Sequence, residues 1–304
     1  MENSARILIS GASGFIGTSL VRACRARGFS LTQLVRQTTA ATTPQIVWAP
    51  YQSPALPDRF LLEGFDAVIH LSGANVAAHR WTAAYKKEIV ESRVHTTQAL
   101  ARLLSQLKQP PRAFLCASAT GIYGDRGEEL LTESSPAGTG FLAETCVAWE
   151  AATQPATGIR VAHMRFGVVL SPEGGALAKM LPLFRIGAGG RLGSGKQWMS
   201  WITLPDLVSA IFHLLQAEIS GTINFVAPTP FTNAEFTRTL AAALHRPAIV
   251  PAPAFALRLA LGEMADEALL ASQRVLPDKL TQSGFRFEHP DLATALQALL
   301  KKST

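Results

Sequence analysis

The stretch that decides the fold is Arg6-Ile7-Leu8-Ile9-Ser10-Gly11-Ala12-Ser13-Gly14-Phe15-Ile16-Gly17. Its first five residues form an apolar, β-branched run that ends at a glycine, which marks a buried strand. A helical pattern follows through Leu20, Val21 and Cys24 to Gly28, and Ser30 to Val35 reads as a second strand. Strand, glycine-rich turn, helix and strand make the βαβ context in which such glycines hold a dinucleotide. Gly11 permits the tight turn, Gly14 lets the backbone approach a pyrophosphate, and Gly17 lets the helix pack close to the sheet. The helix start then offers unpaired N–H groups and a positive dipole end to phosphates. Gly11, Ser13, Gly14, Phe15, Ile16 and Gly17 are therefore cofactor-binding candidates.

The second strand ends in Leu34-Val35-Arg36-Gln37. A site for NAD carries an acid about 20 residues after the glycines, to hold the ribose 2′-hydroxyl. No Asp or Glu occurs from Ala5 to Gln52, and Arg36 stands in that place. A guanidinium there attracts a 2′-phosphate. The expected cofactor is NADP(H) rather than NAD(H), with Val35 and Arg36 at its adenosine end.

Composition sets the outer bounds. The chain has 304 residues, 48% hydrophobic and 16% charged, which excludes disorder as its main state. Cys24, Cys116 and Cys146 are odd in number and widely spaced, so neither a disulfide framework nor a metal site is expected. The opening MENSARILIS is too short and polar for a signal peptide. No apolar run approaches the roughly 18 residues of a membrane span. The expectation is a cytoplasmic protein with no membrane partner. The net charge of +6 comes from dispersed basic residues, the densest pair being Lys86-Lys87 beside Glu88 and Glu91. That pattern favours an anionic small molecule over nucleic acid.

Further motifs carry a family resemblance. They are Asp66-Ala67-Val68-Ile69-His70-Leu71-Ser72-Gly73, Ser118-Ala119-Thr120-Gly121-Ile122-Tyr123-Gly124, Arg165-Phe166-Gly167-Val168-Val169-Leu170, Trp198-Met199-Ser200-Trp201-Ile202 and Ser272-Gln273-Arg274-Val275-Leu276-Pro277. With the glycine motif they resemble the extended short-chain dehydrogenase/reductases, the NAD(P)-dependent epimerase/dehydratase group. The later motifs look like an epimerase-like subfamily with a short C-terminal domain. The resemblance implies an α/β fold: a Rossmann-type doubly wound parallel sheet with a smaller mixed α/β C-terminal lobe. It places the NADP-binding domain at about 1–165 and the substrate lobe at about 166–304, the two interleaved. It also implies that Leu71, Ser72 and Gly73 line the cofactor, that Glu88 and Arg93 on the following helix reach it, and that Val169 sits near the nicotinamide.

The same resemblance exposes a gap. Standard members use a Tyr-x-x-x-Lys pair plus a Ser or Thr to move a proton while hydride moves. Four residues after Tyr51, Tyr85 and Tyr123 stand Ala55, Ile89 and Gly127, so the pair is absent. Anchored on Glu150, the tyrosine position falls on Leu142, the lysine position on Cys146 and the Ser/Thr position on Ala119. The catalytic candidates that remain are Tyr123, Thr120, Ser118 and Glu144. Glu144 requires burial to act as a base, and Cys146 requires a lowered pKa to be reactive.

In the second half, Gly158 to Arg165 reads as a buried strand whose His163 is a satisfied histidine. Arg185, Arg191, Lys196 and Trp198 flank a glycine-rich loop and form a candidate cationic rim for an anionic ligand such as a nucleotide sugar. Thr232-Asn233-Ala234-Glu235 starts a helix with a capping box. Leu257, Leu261, Met264 and Leu269 have the spacing of a core-facing helix. Two functions fit: an NADP(H)-dependent epimerase or oxidoreductase acting on a small substrate with a non-standard proton donor, or a non-catalytic NADP(H)-binding sensor or scaffold. A monomer and a homodimer are both compatible with the sequence.

Overall fold

The structure is a computed structural model that describes residues 5–40, 42–50 and 57–301. Tyr51, Ala55 and the first four residues of the opening segment lie outside the described residues. Seven parallel strands form the central sheet: β1 (Arg6–Ser10), β2 (Ser30–Val35), β3 (Gln45–Val47), β4 (Ala67–His70), β5 (Ala113–Ala119), β7 (Arg160–Phe166) and β11 (Gly221–Phe225). Their spatial order is β11-β7-β5-β4-β1-β2-β3. The order reverses between β1 and β4, and a crevice opens at the carboxyl ends of strands at such a switch point. The central strands read as unbroken apolar runs because both faces are covered: β4 is buried throughout, and β5 at all but its last residue.

Helix α1 (Phe15–Ala26) and helix α5 (Leu204–Gln216) cover one face. Their Leu20, Val21, Cys24, Leu207 and Ile211 meet Ile7, Ile9 and Ile69 from the sheet. Helix α2 (Ala83–Ser105) and helix α3 (Phe141–Ala151) cover the other, packing Leu100, Leu104 and Trp149 on Leu8, Val68 and Phe114. Although they lie beyond residue 165, α5 and β11 complete this layered unit.

The remaining strands form three short ribbons: β6 (Leu130–Leu131) with β13 (Arg274–Val275), β8 (Val168–Leu170) with β10 (Trp201–Thr203), and β9 (Trp198–Met199) with β12 (Phe231–Thr232). Helices α4 (Gly175–Arg185), α6 (Asn233–Leu244) and α9 (Leu292–Lys301) enclose a second core around Trp201, Phe231 and Phe236. The capping box of Thr232 and Glu235 is present at the start of α6.

One expectation is overturned. The apolar spacing from Leu257 to Leu269 is not a single core-facing helix. Gly262 takes a left-handed φ of 65° and ends helix α7 (Ala254–Leu261), and a turn of π-helix follows at Ala265–Leu270. That break puts the two halves out of phase. Met264 is buried, but α7 buries none of its residues, and Phe255 and Leu259 are 72% and 77% exposed. A five-residue helix, α8 (Asp278–Gln282), completes the chain's elements.

Candidate active site

The glycine turn sits at the switch point between β1 and β4. Gly11 has φ 71°, and a Cβ there would lie 2.7 Å from the Leu71 carbonyl carbon, so side chains are excluded where the β4 exit crosses the turn. A Cβ on Gly17 would lie 2.1 Å from the Gly11 carbonyl oxygen. The contact that requires Gly17 is thus with the turn itself, not with the sheet. Gly14 and Ser13 are exposed, and no side chain caps α1. The Phe15 ring instead packs against Gly174 and Gly175 at the start of α4, and Ile16 joins the core beneath. The first turn of α1 therefore has no side-chain cap and no acidic residue of its own, as a phosphate cradle requires.

Arg36 follows β2 directly, is exposed, and makes no hydrogen bond or ion pair among the described residues, while Val35 ends the strand half-buried. Leu71 and Ser72 are half-buried at the β4 exit. Gly73 lies beneath Arg93: a Cβ there would be 3.2 Å from the guanidinium carbon. Arg93 donates to the carbonyls of Ile89 and Ala74 at 3.0 and 2.9 Å and lies over the Trp149 ring. Glu88, a turn earlier on α2, is exposed. Val169 is half-buried in β8, with its carbonyl against Gly175. The cofactor-binding candidates therefore gather along one edge of the sheet, where Gly11 and Gly17 leave space only for bare backbone.

The proton-transfer candidates fare differently. Tyr123 is fully buried. Its hydroxyl lies 2.8 Å from Asn224 Oδ1 and 3.0 Å from the Thr132 carbonyl, and it accepts from Arg165 at 2.9 Å. Burial pushes the phenol above its ordinary pKa against the pull of Arg165. Ser118 donates to Glu150 at 2.7 Å, and Glu150 takes a two-pronged ion pair from Arg165 at 2.8 Å on each oxygen. Burial alone would raise the Glu150 carboxyl; Arg165 and Ser118 outweigh it and hold it below the carboxylate range. Tyr123 and Ser118 belong to this interior network, which ties β5, α3 and β7 together. Glu144 is exposed on α3, without the burial a general base requires. Thr120 is buried too, but it donates to Oε1 of the half-buried Gln273 at 2.9 Å rather than joining that network.

Leu142 lies against Gly121, and the Cys146 thiol lies beside the Ala119 backbone. The three positions that the resemblance singles out thus converge in space, and none carries its expected group. Burial pushes the Cys146 thiol up to about 12 despite the charge of Arg93, so it is not a reactive thiolate. Cys24 and Cys116 are pushed up to about 12 by burial as well. His163 is satisfied by Thr153 at 2.8 Å, as expected of a strand histidine. Among the described residues no cluster of His, Cys, Asp or Glu could hold a metal ion, and no helix is long and apolar enough to cross a membrane. Lys86 pairs with Glu263 and Lys87 with Glu91. Arg185, Arg191 and Lys196 are exposed, while half-buried Trp198 lies under Arg274 and donates to Glu128.

A family profile described as NAD dependent epimerase/dehydratase matches residues 7–225. The chain belongs to that family. A second profile, a domain of unknown function (DUF1731), matches residues 252–299 of this epimerase-family protein. Epimerase family protein Mb2239 of Mycobacterium bovis is 42% identical over 296 residues, 96% of this chain and 97% of its own. The crystal structure of human epimerase family protein SDR39U1 (isoform 2) with NADPH superposes with a TM-score of 0.89 at 34% identity, covering 97% of this chain and 99% of that one. The nucleoside-diphosphate sugar epimerase from Corynebacterium glutamicum superposes with a TM-score of 0.77 at 35% identity, covering 97% of this chain and 58% of that one. SDR39U1, whose structure holds NADPH, shares the whole architecture of the epimerase-family chain, C-terminal segment included.

Proposed function

We propose that this protein binds NADP(H) along the carboxyl edge of its sheet and uses it on a small carbonyl or hydroxyl substrate without a Tyr/Lys proton relay. The observation that carries the cofactor choice is Arg36, an exposed cation directly after β2 with no partner among the described residues and no acid on that strand or its flanks. The NADPH held by human SDR39U1 supports the same choice. In this reading the Gly11–Gly17 turn and the first turn of α1 receive the pyrophosphate, and Arg36 receives the 2′-phosphate. Leu71, Ser72, Gly73 and Val169 line the path to the reactive end, with Glu88 at the α2 surface. Arg93 supplies positive charge near Cys146, where the family's lysine would stand. When bound, NADP(H) would give or take hydride.

A nucleotide sugar is the proposed substrate class. The exposed Arg185, Arg191 and Lys196, as a candidate cationic rim, support an anionic ligand, and the similarity to a nucleoside-diphosphate sugar epimerase points the same way. Buried free cysteines support a reducing, cytoplasmic compartment.

A melting titration tests the cofactor reading. A ligand at a hundred times its Kd adds about 2.7 kcal/mol of stability. NADPH is expected to raise the melting temperature far more than NADH, and Arg36→Glu to erase that difference. Equal shifts from both cofactors in the wild type would refute the role of Arg36.

The second reading, a non-catalytic NADP(H) sensor or scaffold, is favoured by Leu142 and Cys146, neither of which can relay a proton. Turnover of any carbonyl or nucleotide sugar by the NADPH-loaded protein would dismiss it.

A further inference from the structure

Leu142 leaves the site without an acid, yet one hydrogen-bonding pair remains beside it. Thr120 opens the turn directly after β5, and the next residue, Gly121, carries the contact with Leu142. The Thr120 hydroxyl meets Gln273, which arrives from the C-terminal segment. The Gln273 backbone is held on both sides: its N–H donates to the Trp198 carbonyl at 3.0 Å, and its carbonyl accepts from the Ser200 hydroxyl at 2.8 Å. Two residues on, Val275 is fully buried in the core with Tyr123 and Leu131. The carboxamide is therefore aimed by a fixed backbone and a fixed threonine.

A donor count shows what the pair can do. The hydroxyl offers one donor and the carboxamide two. Whichever way the amide plane is turned, one donor serves the bond between them and two are left. The Gln273 side chain is half-buried, and its nitrogen has no protein partner among the described residues. Leu142, which lies against Gly121 next to Thr120, belongs with Val76, Phe141 and Leu261 to a set of half-buried apolar side chains packed on Trp81 and Met264. Two free N–H or O–H groups beside an apolar wall suit a carbonyl oxygen entering from a largely apolar body.

We propose that Gln273, oriented by Thr120, binds the reacting oxygen of the substrate. It does by hydrogen-bond donation what Leu142 cannot do by proton transfer. The inference rests on the NADP(H) reading above. A carboxamide keeps its protons at physiological pH, so it acts by stabilising negative charge as it develops on oxygen. In a carbonyl reduction the carbon gains hydride from reduced NADP, the π pair moves onto oxygen, and water supplies the proton.

The test uses phenanthrenequinone, an aromatic ortho-quinone suited to the apolar wall, as the carbonyl probe. NADPH consumption is followed in the wild type, Gln273→Leu, Gln273→Glu and Thr120→Val, with melting temperature and NADPH affinity measured for each. Gln273→Leu is expected to lower kcat on the order of a hundredfold, as losing an oxyanion donor does, with NADPH affinity within about twofold of wild type. Gln273→Glu is expected to give a rate that climbs as pH falls from about 8 to about 5, because a carboxyl donates only when protonated. The wild-type rate should be flat across that window. A purely structural role would lower the melting temperature without that pH profile. Wild-type kcat in Gln273→Leu, or no NADPH consumption by NADPH-loaded wild type, overturns the proposal. Failure to bind NADPH at all overturns the cofactor reading and this inference with it.

Discussion

Gly17 makes the tightest approach in the glycine turn, and its consequence is local. A methyl group 2.1 Å from a backbone oxygen has no flexible neighbour to displace, so α1 itself must move. Gly17→Ala is expected to cost about 1–3 kcal/mol of stability, as forced overpacking does, and to weaken NADPH binding at the same time. Gly158→Ala is the control for binding: its φ of 76° makes a side chain costly to the fold, but a Cβ there meets nothing within 4 Å and lies outside the glycine turn, so NADPH affinity is expected to hold. Comparable losses of NADPH affinity in both variants would refute the account. At this scale the glycines were legible because their spacing is local. Tyr123 was not. It stands beside Gly124 in a motif that flanks the site, yet its partners Arg165 and Asn224 lie 42 and 101 residues away. Only packing shows that its hydroxyl points inward. Gln273 carried no local signal either, because Thr120 lies 153 residues from it.

Helix α3 shows the same contrast between elements. The capping box of α6 could be read directly, since Thr232 and Glu235 are three residues apart and satisfy each other. Helix α3 begins after Gly140, which supplies no side-chain cap. Its cap comes from Glu267 in the π-helical turn, which accepts from the Phe141 and Leu142 amides at 2.8 and 2.7 Å. Gly140 has φ 107°, and a Cβ there would come within 2.9 Å of that carboxylate. The glycine is therefore the opening through which the acid reaches the helix end. A carboxylate at a helix N-terminus stabilises both the free amides and the dipole. Glu267→Ala is expected to cost about 1–2 kcal/mol, read as a lower urea midpoint; an unchanged midpoint would remove the cap from the account. The break at Gly262 was the least legible feature of this region, because apolar spacing alone cannot tell one helix from two that are out of phase.

For the whole molecule, a buried polar chain ties the sheet to the two helices on one of its faces. Ser10 on β1 meets His70 Nδ1 at 2.5 Å, His70 Nε2 meets Thr97 on α2 at 3.0 Å, and the Trp149 indole on α3 donates to Thr97 at 2.9 Å. Burial lowers the His70 pKa from 6.5 to about 4, so the imidazole is neutral in the fold. As pH falls below 6.5 the unfolded chain takes up this proton first. The contribution is fully present above 6.5 and is lost as pH falls toward 4, by up to roughly 3 kcal/mol. Urea midpoints at pH 7 and pH 5 should therefore separate more in the wild type than in His70→Gln. Equal separations would exclude His70 as the source. The opening strand, turn, helix and strand were legible in the sequence because hydrophobic period and glycine spacing encode them, and the parallel sheet was implied by the family resemblance. The interior networks were not, because they pair residues that meet only after the layers close.

The C-terminal segment is sewn into the first layer rather than set beside it. It lends β13 to β6, Glu267 to the head of α3 and Gln273 to Thr120. Such a molecule has no seam. Severed near residue 252, the larger piece would keep its glycines and its sheet but would carry an orphaned ribbon strand and a helix with a bare end. The two profile-matched regions are thus parts of one indivisible object, and neither is a cassette to be transplanted alone.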